Sequence, residues 1–136
     1  MWFSKKVAPA KPTTKKQGDA AEALALAYLL QAGLRLVTSN YRTPGRGGGE
    51  IDLVMRDVDG TLVFVEVRHR ASASHGGAGA SISATKQQRI IFAAKHYLMR
   101  INTPPPCRFD VVLIEGKLDA VEPPRIEWLR SAFDAY

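Results

Sequence analysis

The chain contains one cysteine, Cys107. That excludes an internal disulfide and the disulfide-stapled secreted scaffolds, and it points to a reducing compartment. Beside a proline-rich turn, Cys107 reads as a small buried apolar residue. No apolar run approaches the roughly 20 residues that span a bilayer. The N-terminal lysines are not followed by the continuous apolar segment of a secretory signal. These absences predict a cytoplasmic protein with no membrane partner. Aromatic residues make up 8% of the chain, and Trp2 and Trp128 do not form a stacking platform for bases; Trp128 reads as a core anchor. His69, His75 and His96 have neither cysteine partners nor an i, i+4 helical pair, which argues against zinc. His75 reads as a solvated loop residue, and no Ser-His-Asp arrangement can be argued from residue order.

What is present describes one globular domain of 136 residues, 46% hydrophobic and 24% charged, long enough to bury a core. The formal charge of +6 is unevenly placed. Lys5, Lys6, Lys11, Lys15 and Lys16 all precede the first acid, Asp19. Residues 1–17 are therefore expected to be a disordered basic tail, and residues 18–136 a single domain. The tail would either add sequence-independent affinity for phosphates or serve as a solubilising leader. Within the body, the stretch from Arg35 to Arg100 holds ten basic residues against five acids, which places a moderately basic face in that region.

Periodicity gives the elements. An Ala- and Leu-rich helix is predicted from about Asp19 to Ala32, with Gly33 as the residue that ends it. Ala23, Leu26, Ala27 and Leu30 form its expected buried stripe, and Glu22 falls in the first turn, where a carboxylate favours the helix dipole. Leu34 to Tyr41 reads as a strand. Thr43 to Gly48 lacks the ending of a phosphate-binding P-loop and the spacing of a dinucleotide fingerprint, and reads as flexible punctuation. Arg70 to Ala80 is expected to be a mobile segment. A second helix runs from about Ala84 to Arg100, capped by Ser83, with Ile90, Ile91, Ala94 and Leu98 as its apolar face. Arg108 to Glu115 is a strand, and Ile126 to Leu129 a last edge strand. The order α-β-β-β-α-β-β predicts an α/β sandwich on a mixed central sheet of four to five strands.

Two carboxylates stand out because they interrupt apolar strands: Asp52 in Gly49-Glu50-Ile51-Asp52-Leu53-Val54, and Glu66 in Leu62-Val63-Phe64-Val65-Glu66-Val67-Arg68. Asp57-Val58-Asp59-Gly60 joins the strands, and a three-residue loop ending in Gly60 fixes the register. Counting outward sets Asp52 opposite Glu66 and Glu50 opposite Arg68, with Val63, Val65 and Val67 on the other face as core. Like charges so placed repel, so either one carboxylate takes a proton or both hold a cation. A two-residue loop would send them to opposite faces. The competing reading is a solvated, salt-bridged face built from Glu50, Glu66, Arg68 and Arg70. Lys86, in the first turn of the second helix, opposes the helix dipole and suits an anionic ligand held there.

An acid on one strand followed by a Glu-x-Lys-like triplet on the next resembles the restriction endonuclease-like superfamily, whose pattern is written PD-(D/E)xK. More narrowly, Gly18, Ala21-Glu22, Tyr28-Leu29, Gly33, Asn40-Tyr41-Arg42, Gly49 to Leu53, Val63 to Val67, Lys86 and Arg108 to Val112 resemble the YraN-like family of small bacterial proteins. The likeness runs from about Gly18 to Phe133.

The resemblance implies a restriction endonuclease-like core that hydrolyses phosphodiester bonds with Mg²⁺ or Mn²⁺. Asp52 and Glu66 would be the metal-binding acids, and Glu22 matches the helix-borne acid of junction-resolving relatives. Mg²⁺ usually takes one or two carboxylates and keeps several waters, so the pair suffices. Arg68 departs from the pattern, which has lysine there; arginine stays protonated and is larger, yet it can stabilise transition-state charge, and Lys86 could substitute as the cation. Arg42, Arg46, Arg70, Lys86 and Arg89 are the expected nucleic-acid contacts. Three functions follow: an endonuclease acting on branched DNA, a nucleic-acid-binding module that has lost the chemistry, or a protein-interaction subunit in DNA processing or uptake. Junction-like substrates would favour a homodimer.

Overall fold

The computed structural model describes residues 14–71 and 82–135. Seven elements follow in order: α1 (Thr14–Gln31), β1 (Arg35–Arg42), β2 (Glu50–Arg56), β3 (Leu62–Arg70), α2 (Ala84–Leu98), β4 (Cys107–Glu115) and β5 (Arg125–Phe133). The strands form one sheet in the order β1-β2-β3-β4-β5. Every neighbouring pair is antiparallel except β3 and β4, which run parallel. A parallel pair needs a long crossover, and α2 lies on that connection. This is the mixed α/β architecture and element order that the periodicity predicted.

The hairpin register follows from its turn. The N–H of Gly60 donates to Asp57 O at 3.0 Å and that of Asp57 to Thr61 O at 2.9 Å. Gly60 has φ +91°, the left-handed position that ends a three-residue loop. Arg56 then pairs with Leu62 and Leu53 with Val65, the register deduced from the sequence.

The sheet buries both faces. Ala21, Ala25 and Leu29 of α1 pack with Leu53, Met55, Val63 and Val65. On the opposite face Ile90, Ile91, Ala93 and Ala94 of α2 pack with Ile51, Val54, Leu62 and Phe64. Phe109 to Ile114 of β4 is buried throughout, as befits an interior strand covered on both sides.

Several expectations change. Helix α1 begins at Thr14, so Thr14 to Gln17 belongs to the helix and not to the tail; Lys15 pairs with Asp19 at 3.1 Å one turn on. The tail residues 1–13 and most of the expected mobile segment, residues 72–81 with His75, lie outside the described residues. The buried stripe of α1 is Ala21, Ala25 and Leu29, while Ala23, Ala27 and Leu30 are exposed. An Ala/Leu helix offers two nearly equivalent apolar stripes. The one used sets small alanines against large sheet residues and turns Glu22 inward. Cys107 is exposed at the start of β4, so the buried reading fails: the proline segment leaves it on the rim. Trp128 does anchor, half-buried against the α1 layer.

Candidate functional site

The strict alternation of β2 breaks at Asp52. Leu53 and Met55 belong to the layer under α1, yet Ile51 joins Val54 in the layer under α2. The β2–β3 pairs run from Arg56–Leu62 to Leu53–Val65, and Asp52 and Glu66 stand one step past that end. There the N–H of Val67 donates to Asp52 Oδ2 at 2.8 Å, so a carboxylate occupies the place of a strand carbonyl. The seam so formed is open to side chains from both helical layers.

From the α2 side, Lys86 Nζ lies 3.6 Å from Glu66 Oε2. Ser83 caps that helix by accepting from the Lys86 N–H at 3.1 Å, which fixes Lys86 in the first turn. From the α1 side comes Glu22, its carboxyl hydrogen-bonded to Asn40 and Asp52. With the helix starting at Thr14, Glu22 sits well inside it; the first turn contains no acid. A dipole role is thereby excluded, and its side chain serves the seam. Asn40 holds a left-handed backbone, φ +52°, a conformation asparagine tolerates and one found often at functional sites. Asn40 entered the sequence reading only as part of a motif. Its positive φ, the signal that singles it out, is invisible in a strand-like sequence.

The negative charge of the seam is only partly compensated, by Lys86 and the Val67 N–H. Glu66 is 7% exposed. Burial first, then the Asp52 charge, raise its carboxyl above the usual range, with Lys86 only partly opposing. Burial likewise raises Asp52, opposed by the Val67 N–H. Burial, Asp52 and Asp19 push Glu22 up to about 7. Among the described residues, Glu66 Oε1 is buried without a hydrogen-bond partner. The two carboxyls are close enough for a proton to bridge them; a cation is the other way to satisfy them. The solvated-face reading fails for Glu66, which is buried, while Glu50, Arg68 and Arg70 are half-buried and Arg70 is ion-paired with Glu115.

Two carboxylates with hard oxygen donors fit Mg²⁺ or Mn²⁺. Among the described residues no three His, Cys, Asp or Glu side chains form a complete ligand set, so waters or a ligand oxygen would fill the remaining positions.

The remaining candidates are spread around this seam. Arg68 lies two residues beyond Glu66 on β3, half-buried and in register with Leu113 of β4. It and Glu50 stand past the paired part of β2 and β3, so the expected Glu50–Arg68 pair is not part of the ladder. Arg70 is four residues beyond Glu66 and ion-paired with Glu115. Arg42 and Arg89, both exposed, line one cleft with Glu50 and the glycine loop, and Arg46 is exposed within that loop. The loop is not loose punctuation. Its ends are clamped by Thr43 N–H to Gly49 O at 3.0 Å and Gly49 N–H to Thr43 Oγ1 at 2.8 Å. Gly49 lies so close to α2 that a Cβ there would meet Arg89 O at 1.9 Å.

These features define a mixed α/β protein with a buried, under-compensated carboxylate pair in a strand seam. The chain belongs to the uncharacterised protein family UPF0102, whose sequence profile matches residues 21–114. It is similar to UPF0102 proteins of Polaromonas naphthalenivorans (strain CJ2), 65% identical with 99% of each chain covered, and Albidiferax ferrireducens, 68% identical over 90% of this chain and 91% of the relative. The UPF0102 protein of Cupriavidus taiwanensis is 54% identical over 92% and 88%. No helix among the described residues is long and apolar enough to cross a membrane.

Proposed function

We propose that the seam of Asp52 and Glu66 is a divalent-cation site and that the protein is a metal-dependent endonuclease acting on DNA, branched DNA in particular. The observation that carries this reading is the buried Glu66 Oε1, without a hydrogen-bond partner among the described residues and beside a second carboxylate. A buried carboxylate oxygen left open beside a second carboxylate is costly whenever it is charged, and a cation shared by the two would relieve it. The likeness to the restriction endonuclease-like pattern supports the same reading, since the acids it requires fall on β2 and β3 of a mixed sheet.

Asp52 and Glu66 would hold Mg²⁺ or Mn²⁺, which when bound would supply a means of activating water and of neutralising charge on the phosphate. The residues of the chain do the rest. The Val67 N–H orients the Asp52 carboxylate, and Glu22, held by Asn40, controls the proton at its other edge. Lys86 stands on the α2 side of the pair, where its ammonium can meet a phosphate oxygen once Glu66 is engaged elsewhere. In this arrangement Lys86 supplies the charge that the pattern assigns to the position of Arg68, and Arg68 adds a fixed positive charge to the phosphate environment. A two-fold dimer would present two such sites to a junction.

The test is cleavage of a labelled four-way junction, flap, linear duplex and single-stranded RNA with Mg²⁺, Mn²⁺ or EDTA. Cutting that needs metal and is lost in both Asp52→Asn and Glu66→Gln is the expected result. Binding without cutting, unchanged by either substitution, would make the protein a binding module. Absence of both would leave a protein-interaction subunit.

A further inference from the structure

Beside the seam lies a cleft of about 210 Å³, walled by Arg42, Thr43, Gly47, Gly48, Glu50 and Arg89. It is a built feature. The Thr43–Gly49 clamp closes the loop, and Gly49 is pressed onto the α2 backbone. Gly48 faces Thr43 so closely that a Cβ would meet Thr43 Oγ1 at 2.3 Å. The end of strand β1 and helix α2 therefore bring Arg42 and Arg89 to the same cleft.

Two guanidiniums in one small polar cleft fit a phosphate, which arginine grips through paired N–H donors. Glycines leave the loop backbone open to close approach by such a group. Glu50, in register with Arg42, is the one acid in the wall; two cations outnumber it, and it disfavours small free anions relative to a ligand held at other points too.

Glu50 also ties the cleft to the seam. Its charge reaches both Asp52 and Glu66, and it precedes Asp52 by two residues on β2. That is about 7 Å of strand, the order of the spacing between neighbouring phosphates on one nucleic-acid strand.

We infer that this cleft is a phosphate subsite: it holds the phosphate next to the one at Asp52 and Glu66 on the same strand, and so sets the register of the backbone over the seam. The inference rests on the nucleic-acid reading given above, and it names where the strand is gripped.

The experiment is binding of the full chain to a labelled four-way junction in EDTA, by fluorescence anisotropy across a salt series. It compares wild type with Arg42→Ala, Arg89→Ala, the double variant and Arg35→Ala, an exposed arginine at the other end of β1. A second arm follows the amide resonances of Gly45, Gly47 and Gly48 on adding the junction or inorganic phosphate alone.

Two lost phosphate contacts lower the slope of log K against log salt by about 1.8 for duplex arms. The expected result is that fall in the double variant, with affinity down at least about tenfold at moderate salt. Arg35→Ala should be unchanged, and the glycine amides should move with the junction. Junction binding with an unchanged slope and unmoved glycines would overturn the subsite and leave the nucleic-acid reading standing. Glycines that answer to inorganic phosphate but not to the junction would overturn it in favour of a free-phosphate site. No junction binding at all would remove both.

Discussion

The molecule buries two acidic centres and treats them in opposite ways. Asp110, fully buried in β4, accepts from Arg108 Nε at 3.1 and 3.2 Å, from Trp128 Nε1 at 2.9 Å and from the Ser131 N–H at 2.9 Å. Arg108 reaches on to Asp57 at 2.9 Å, which ties the β2–β3 turn to β4 and β5. Glu66 is nearly as buried, yet it has one lysine at 3.6 Å, a second carboxylate beside it and an oxygen without a donor. The Asp110 carboxylate, met by four donor contacts, holds strands in place even though Nη2 of Arg108 is itself buried without a hydrogen-bond partner among the described residues. Charge left unsatisfied costs stability, and on our reading it is kept because a cation completes it. The first centre belongs to the fold and the second to the function.

The comparison breaks most sharply at Asp110. Asp110→Ala leaves the half-buried Arg108 with Asp57 alone of its two carboxylate partners and strips Trp128 and Ser131 of their acceptor. The expected loss is about 3–5 kcal/mol, or about 10 °C or more in Tm, readable by thermal unfolding with or without metal. Glu66→Gln should have the opposite sign. Above about pH 8, where the Glu66 carboxyl is ionised in the fold, removing one of two like charges and its desolvation burden should raise the Tm in EDTA, by about 1 kcal/mol or more in stability, while abolishing any stabilisation by Mn²⁺. A fall in Tm would show that the carboxylate is structural.

Trp128→Phe sharpens the contrast from the satisfied side. It keeps the ring against Tyr28 and deletes one donor to Asp110, for about 1 kcal/mol in a denaturant titration. The gentlest effect is with pH. The Glu22 carboxyl is raised from 4.5 to about 7. A raised carboxyl contributes stability that is whole below about pH 4.5 and is lost as pH climbs to about 7. The metal-free Tm should therefore decline across that window. Glu22→Gln should flatten the decline, and saturating Mn²⁺ should oppose it by favouring the ionised pair.

Much of this contrast was legible in the sequence. Gly60 fixed the hairpin loop, the loop fixed the register, and the register put Asp52 beside Glu66 before any coordinates. The element order and the mixed character of the sheet followed from where the helices fell between apolar strands. What could not be read has physical causes. An Ala- and Leu-rich helix has no single apolar stripe, so neither the burial of Ala21, Ala25 and Leu29 nor the inward turn of Glu22 could be chosen from periodicity. The start of α1 at Thr14 was hidden by lysines that resemble a tail, until Lys15 met Asp19 one turn on. The satisfied centre at Asp110 was missed because its partners lie two, eighteen and twenty-one residues away. The glycine loop looked flexible because its clamp depends on Thr43 meeting Gly49, and on Gly49 meeting the backbone of a helix some forty residues later.

The most direct test of the cation site is Mn²⁺ binding followed by electron paramagnetic resonance of the free ion, for wild type, Asp52→Asn and Glu66→Gln at pH 6 and pH 8. The account predicts a site in the wild type that tightens as pH rises and the carboxyls lose their protons. Either substitution should weaken it at least about tenfold, since each removes one of two anionic ligands. Equal binding by all three chains, or none by the wild type at millimolar Mn²⁺, would contradict it.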